Sequence, residues 1–241
     1  MSAIAHLFNP SSVAVIGASE DVMRTTGKPV RFLLKHGFKG RIYPVNPKLE
    51  AIGDLKCHAS IAALPEAPDV GLVLLGAPQR VQRCVEELAA RGTRTAIVLA
   101  SGYGERGADG ARRQDELARA AGGMRLLGPN TIGLVNISDG VPISASGALE
   151  MDHFPSGPIA VVSQSGGILG SLLSRAAGRG IGLSKLVSTG NEADLQLADF
   201  VDFLAEDAAT RVIVLYIEGT RHAVEVVVAT PRPLVWFHAL V

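Results

Sequence analysis

Two hydroxyls and two glycines meet in Ser163-Gln164-Ser165-Gly166-Gly167. An apolar run at 159–162 leads into this segment. Beyond it, apolar residues recur at Ile168, Leu169, Leu172, Leu173, Ala176 and Ala177, the spacing of an amphipathic helix. A strand that enters a helix through small residues presents unpaired backbone N–H groups, and the positive end of the helix dipole, to whatever rests on the turn. That chemistry holds an anion, above all a phosphate. An ordinary tight turn of an α/β sheet accounts for the same residues. So does a relaxed nucleophile elbow, with Ser165 as nucleophile and His222 or His238 as base, although Ser163 stands where sterics favour glycine.

A second strand-to-turn segment, Val15-Ile16-Gly17-Ala18-Ser19, invites a dinucleotide reading. It lacks the G-x-G-x-x-G spacing, and the next strand ends in Val45-Asn46-Pro47, without the carboxylate that would hold a ribose. NAD(P) is therefore disfavoured. Other strand ends carry Ala77-Pro78, Ser101-Gly102-Tyr103-Gly104-Glu105 and Gly128-Pro129-Asn130, while Lys28 and Lys48 follow the first two strands. Either lysine alone reads as a solvated surface residue. Gathered on one sheet edge, these groups describe a site for a phosphorylated, nucleotide-bearing ligand.

The elements that must position them alternate along the chain. Strands are predicted at 13–16, 42–45, 70–75, 96–100 and 125–127, with helices at 29–36, 78–91 and 110–121 between them. A looser stretch, 137–157, reads as a link between domains; after it come strands at 159–162, 183–188 and 212–217 and a helix at 193–205. Such alternation implies parallel strands joined by right-handed crossovers. The 241 residues suffice for two cores, built from aliphatic residues because only 5% are aromatic. A formal net charge of +0 argues against nucleic acid as a partner. Cys57 and Cys84 form neither a disulfide framework nor a metal site, and Cys84 shares an apolar stripe with Val81, Val85 and Leu88. No metal site and no membrane span are expected, and a cytoplasmic setting is.

Taken in order, Val15–Ser19, Gly37-Phe38-Lys39-Gly40, Tyr43–Lys48, Gly128-Pro129-Asn130, Ser163–Gly167, Thr189-Gly190-Asn191-Glu192-Ala193-Asp194 and Tyr216-Ile217-Glu218-Gly219 resemble the NDP-forming acyl-CoA synthetases, relatives of the succinyl-CoA synthetase α subunit. The resemblance spans about Leu7 to Arg221. It implies an α/β chain with an N-terminal Rossmann-like CoA-binding domain (1–140) followed by a flavodoxin-like domain (150–241), both with mainly parallel sheets. It implies that Gly17, Ala18, Ser19, Lys28, Asn46, Pro47 and Lys48 line the CoA phosphates and ribose, with Pro78, Ser101 and Asn130 along the same crevice. Ser163, Gln164, Ser165, Gly166 and Gly167 would bind phosphate. Glu218 would orient a phosphorylated histidine; a solvated residue after a strand accounts for it equally.

The family's phosphohistidine sits in a glycine- and alanine-rich loop, and none of His6, His36, His58, His153, His222 or His238 has that context. Its ATP-grasp unit, which binds ADP or ATP with Mg, is not recognisable in the sequence either. The expectation is a chain truncated within its second domain and incomplete alone, with an ATP-grasp β-type subunit as a candidate partner in a homo- or hetero-oligomer. The alternatives are a non-catalytic sensor of CoA or acyl-CoA, and the front half of a protein lysine acetyltransferase.

Overall fold

A computed structural model describes residues 3–219 and 234–238. The chain runs through α1 (Ala3–Phe8), β1 (Ser12–Ile16), α2 (Lys28–Lys35), β2 (Arg41–Val45), a small hairpin of β3 (Ala51–Ile52) and β4 (Leu55–Lys56), β5 (Val70–Val73), α3 (Pro78–Arg91), β6 (Thr95–Val98), α4 (Ala108–Ala121) and β7 (Arg125–Leu127). It continues with β8 (Gly133–Asn136), β9 (Val141–Ser144), β10 (Ser156–Ser163), α5 (Gly166–Gly178), β11 (Leu183–Ser188), α6 (Leu197–Glu206), β12 (Val212–Ile217) and β13 (Leu234–His238).

The first sheet is wholly parallel, in the order β2-β1-β5-β6-β7. Its order reverses between β1 and β5, which opens a crevice at their carboxyl ends. β1, β5 and β6 are buried throughout, as continuous apolar strands with helices on both faces must be. Helix α3 packs Val81, Cys84, Val85 and Leu88 inward and ends at Gly92 in the left-handed conformation. Gly71 lets it come close: a Cβ there would meet Leu88 at 2.5 Å.

The second sheet has the order β13-β12-β10-β11-β8-β9, with four parallel strands and an antiparallel β8–β9 hairpin. Here the structure corrects the sequence reading. The stretch 137–157 is no plain link: it holds β9 and a 3₁₀ turn, Gly147–Glu150, and the sheet begins at Gly133. Both hairpin strands are buried on both faces, so neither alternates, and Pro142 in β9 is tolerated because that strand lies at the sheet edge. The helix predicted at 193–205 starts at Leu197, because the residues before it turn and bend while their N–H groups bond to the first sheet's exit. The N–H groups of Asn191, Ala193 and Leu195 donate to Pro129, Gly128 and Leu126 carbonyls at 2.9, 2.9 and 3.0 Å. Gln196 and Asp199 then form a capping box. The short helix α1 went unread, being under two turns long.

The two sheets share a core. Phe8 of α1 stacks on Phe203 at 5.3 Å and meets Phe200 edge-on at 6.2 Å, beside Leu127, Leu134 and Leu204. Each such aromatic or Leu side chain contributes roughly 1.5–3 kcal/mol when fully buried. Helix α2 is tied to the 3₁₀ turn region by Arg31–Glu150 at 2.6 Å and Lys35–Asp152 at 2.9 Å. Among the described residues no helix is long and apolar enough to cross a membrane.

Candidate functional site

Two clefts open at the carboxyl ends of the first sheet. The smaller, about 550 Å³, lies over β1, β2 and β5 and brings together Gly17, Asn46, Pro47 and Lys48. Gly17 turns the chain at φ +83, and a Cβ there would sit 3.0 Å from Leu75. The Asn46 amide donates to the Ala18 carbonyl at 2.7 Å and accepts from the Lys48 N–H at 2.9 Å, holding the two strand-end turns together. Ala18 is buried beneath them, and Ser19 accepts from the Asp21 N–H at 3.1 Å. Pro78 occupies the first turn of α3, outside the lining of either cleft.

The larger cleft, about 990 Å³, lies between the sheets. Ser101 and Asn130 border it from the first sheet; Gln164, Ser165, Gly166, Gly167 and Glu218 border it from the second. Lys28 belongs on this side, since its ammonium lies 3.8 Å from where a Cβ of Gly147, another lining residue, would be.

Helix α5 starts at Ser165, whose hydroxyl accepts from the Ile168 N–H at 3.5 Å, and the first-turn N–H groups of Gly166 and Gly167 have no intrahelical partner. Ser163 is fully buried, donating to the Ser165 carbonyl at 2.8 Å and accepting from its N–H at 3.1 Å, so it shapes the turn rather than facing the cleft. The Gln164 amide braces the β12 exit: it donates to Gly219 at 2.7 Å and accepts from the N–H groups of Glu218 and Gly219 at 2.7 and 3.0 Å. Ser165, at φ −87 and ψ 121, lacks the strained turn of a nucleophile elbow. His222 lies outside the described residues; His238 ends β13.

Three arrangements were not assigned from the sequence, although Asn191 and Glu192 stand in a segment that carries the resemblance. Arg80 and Arg83 of α3 line the smaller cleft. Asn191 links the sheets, donating to Glu105 at 2.6 Å and to Gln114 at 3.1 Å, and accepting from Asn130 at 3.1 Å. Burial pushes the Glu105 carboxyl up, but hydrogen bonds from Asn191 and nearby backbone N–H groups outweigh it and leave Glu105 below its usual value. Glu192, in the left-handed region at φ 57, accepts from the Thr189 hydroxyl at 2.7 Å and the Leu197 N–H at 3.2 Å. Burial raises its carboxyl above the ordinary value, with hydrogen bonds from Thr189 and Gln164 opposing. The i, i+3 spacing of Arg80 and Arg83 was a readable signal; the Asn191 and Glu192 contacts depend on chain reversals that leave none.

The chain matches two family models: a CoA binding domain over residues 11–137 and a succinyl-CoA ligase like flavodoxin domain over 156–232. It is 37% identical to ADP-forming acetate–CoA ligase II of Archaeoglobus fulgidus, over 96% of this chain and 35% of the relative. It is 35% identical to the α subunit of ADP-forming acetate–CoA ligase I of Pyrococcus furiosus, over 89% of this chain and 47% of that subunit. The fold superposes with a TM-score of 0.90 on the dinucleotide-forming acetyl-coenzyme A synthetase 1 of Ca. Korarchaeum cryptofilum in complex with phosphate and ADP, at 32% identity, covering 98% of this chain and 51% of that one. The chain thus spans about half the length, or less, of these relatives. Through this pair of domains it belongs to the NDP-forming acyl-CoA synthetase family.

Proposed function

We propose that this chain is the CoA-binding portion of an NDP-forming acyl-CoA synthetase, working on the half of the reaction that interconverts acyl-CoA and inorganic phosphate with acyl phosphate and CoA. In that step a phosphate oxygen attacks the thioester carbonyl, the C–S bond breaks, and CoA leaves as the thiolate. The observation that carries the reading is the shared cleft. Ser101 and Asn130, at the ends of first-sheet strands, face the α5 N-terminus and Glu218 across one space. A thiol arriving along the first sheet would meet a phosphate held by the Gly166 and Gly167 N–H groups, with the helix dipole stabilising the anion.

CoA fits the residues present. Its nucleotide end suits the smaller cleft, where Gly17 allows close backbone approach and Lys48 supplies positive charge. Asn46 and Pro47 would shape the ribose region, and Ala18, Ser19, Lys28 and Pro78 would support or border the path of the chain. Glu218 would orient a histidine phosphorylated by the acyl phosphate. That histidine, and the ATP-grasp unit that carries ADP with Mg, would come from a longer parent chain or from a β-type partner, so this chain is incomplete alone.

Calorimetric titration with CoA and with NAD tests the reading. CoA is expected to bind and NAD to fail; preference for NAD, or no binding of CoA, overturns it. The chain with acetyl-CoA, phosphate and ADP is expected to make no ATP, and turnover without added protein would show the cycle to be complete within it.

A further inference from the structure

Along α3, Arg80, Arg83, Cys84 and Glu87 recur at i, i+3, i+4 and i+7 and together border the smaller cleft. This face looks like ordinary solvated surface in sequence, yet the fold turns it toward Gly17 and Lys48. Cys84 is a floor rather than a reagent: it is 4% exposed, and burial pushes its thiol up to about 12.

Several arginines are engaged by carboxylates, and these two are not. Arg31, Arg41, Arg94, Arg112 and Arg125 each hold a carboxylate. Among the described residues, Arg80, Arg83 and Lys48 have none within ion-pair distance. Two exposed guanidiniums and an ammonium around one cleft, with Glu87 the only carboxylate in its lining, leave a surplus of positive charge there.

We propose that Arg80 and Arg83 form, with Lys48 opposite, the subsite for the terminal 3′-phosphate of the CoA nucleotide, and that they set its selection over nucleotides ending in an unphosphorylated ribose. The inference rests on the CoA reading above. The reacting thiol belongs in the larger cleft, beside the α5 turn, so the far end of the molecule falls in the smaller one. The Gly17 turn spends its Gly17 and Ser19 N–H groups on the Val45 and Thr26 carbonyls and offers a diphosphate close backbone approach, whereas a monoester dianion at a solvent-facing rim calls for the fork geometry of arginine.

The test is calorimetric titration of the chain with CoA and with dephospho-CoA, for wild type, the double variant Arg80→Ala/Arg83→Ala, the double variant Arg80→Lys/Arg83→Lys, and Arg112→Ala as a charge control on α4. Wild type is expected to prefer CoA by roughly tenfold or more, the scale of charge-assisted hydrogen bonds. The alanine pair is expected to lose most of that preference while dephospho-CoA binds as before, the lysine pair to recover part of it, and Arg112→Ala to match wild type. Both arginines are exposed, so the thermal midpoint should not move. A wild type that binds both ligands equally, or an alanine pair that keeps the full preference, overturns the subsite and leaves the CoA reading standing. A wild type that binds neither overturns the CoA reading itself.

Discussion

The two sheets put their charges in opposite places. Around the first, charge lies at the cleft rim, in Lys48, Arg80 and Arg83, and the buried polar side chains beneath are the neutral Ser12, Thr93, Thr95 and Gln114. In the second, the turn proposed to hold phosphate is built from neutral backbone and hydroxyl groups, while a charged pair lies inside: Lys185 is 3% exposed and donates to Asp207 at 2.8 Å. On the proposed assignment the difference is functional. A ligand group that only anchors profits from permanent countercharge, whereas a phosphoryl group that must leave is better held by dipoles, which bind it without trapping it.

The largest effect should come from breaking the charged pair. Lys185→Ala leaves the partly buried Asp207 without its cation and should destabilise the protein by up to about 3–5 kcal/mol in urea unfolding. Burial pushes the Asp207 carboxyl up, but hydrogen bonds from Lys185 and Thr210 outweigh it and hold the folded value below the ordinary one. A depressed carboxyl contributes stability above its unfolded value, near 3.9, that is lost as pH falls through the lower folded value. The gap between wild type and variant should therefore close under acid. A variant within about 1 kcal/mol of wild type at pH 7 would mean the pair stabilises no better than a neutral contact.

Salt separates the clefts at a smaller scale. Raising NaCl from about 50 to 500 mM should weaken CoA binding by roughly tenfold, because exposed cations are screened, and orthophosphate binding by no more than about twofold. Titration calorimetry and phosphorus NMR report the two. Equal salt sensitivity would erase the contrast. Ser165→Ala should weaken phosphate while sparing CoA's nucleotide end, with a cap cost near 0.5 kcal/mol, since the Ser165 hydroxyl sits at 3.5 Å from the Ile168 N–H.

What could be read in sequence follows the same division. The strand–turn–helix units, the α3 stripe and the parallel core carry periodicity, and their residues stand where spacing places them. The hairpin of β8 and β9 carries none, because strands buried on both faces do not alternate. Arg80 and Arg83 stand off the α3 apolar stripe, but which cleft they border depends on how α3 lies across β5 and β6. Gln164 was legible as part of an anion-binding turn; its grip on Glu218 and Gly219 comes from the β10–β12 pairing, a contact across more than fifty residues.

Glu192 provides the finest test of the neutral α5 turn. It stands behind Gln164, and an ionised carboxylate there would put negative charge near the turn proposed to hold phosphate. Its raised folded pKa means the folded protein binds that proton more tightly than the unfolded chain does. The associated stability is fully present below the unfolded value, near 4.3, and is lost as pH rises through the folded one. Glu192→Gln keeps an oxygen to accept from Thr189 and the Leu197 N–H and removes the titration. It should therefore equal wild type near pH 4 and exceed it at pH 7, by on the order of 1 kcal/mol. A variant less stable than wild type by the same amount at both pH values would show that Glu192 serves through its acidic oxygen alone. In that case the α5 turn would tolerate a charge behind it, and its neutrality would be a property of the turn and not of the surrounding sheet.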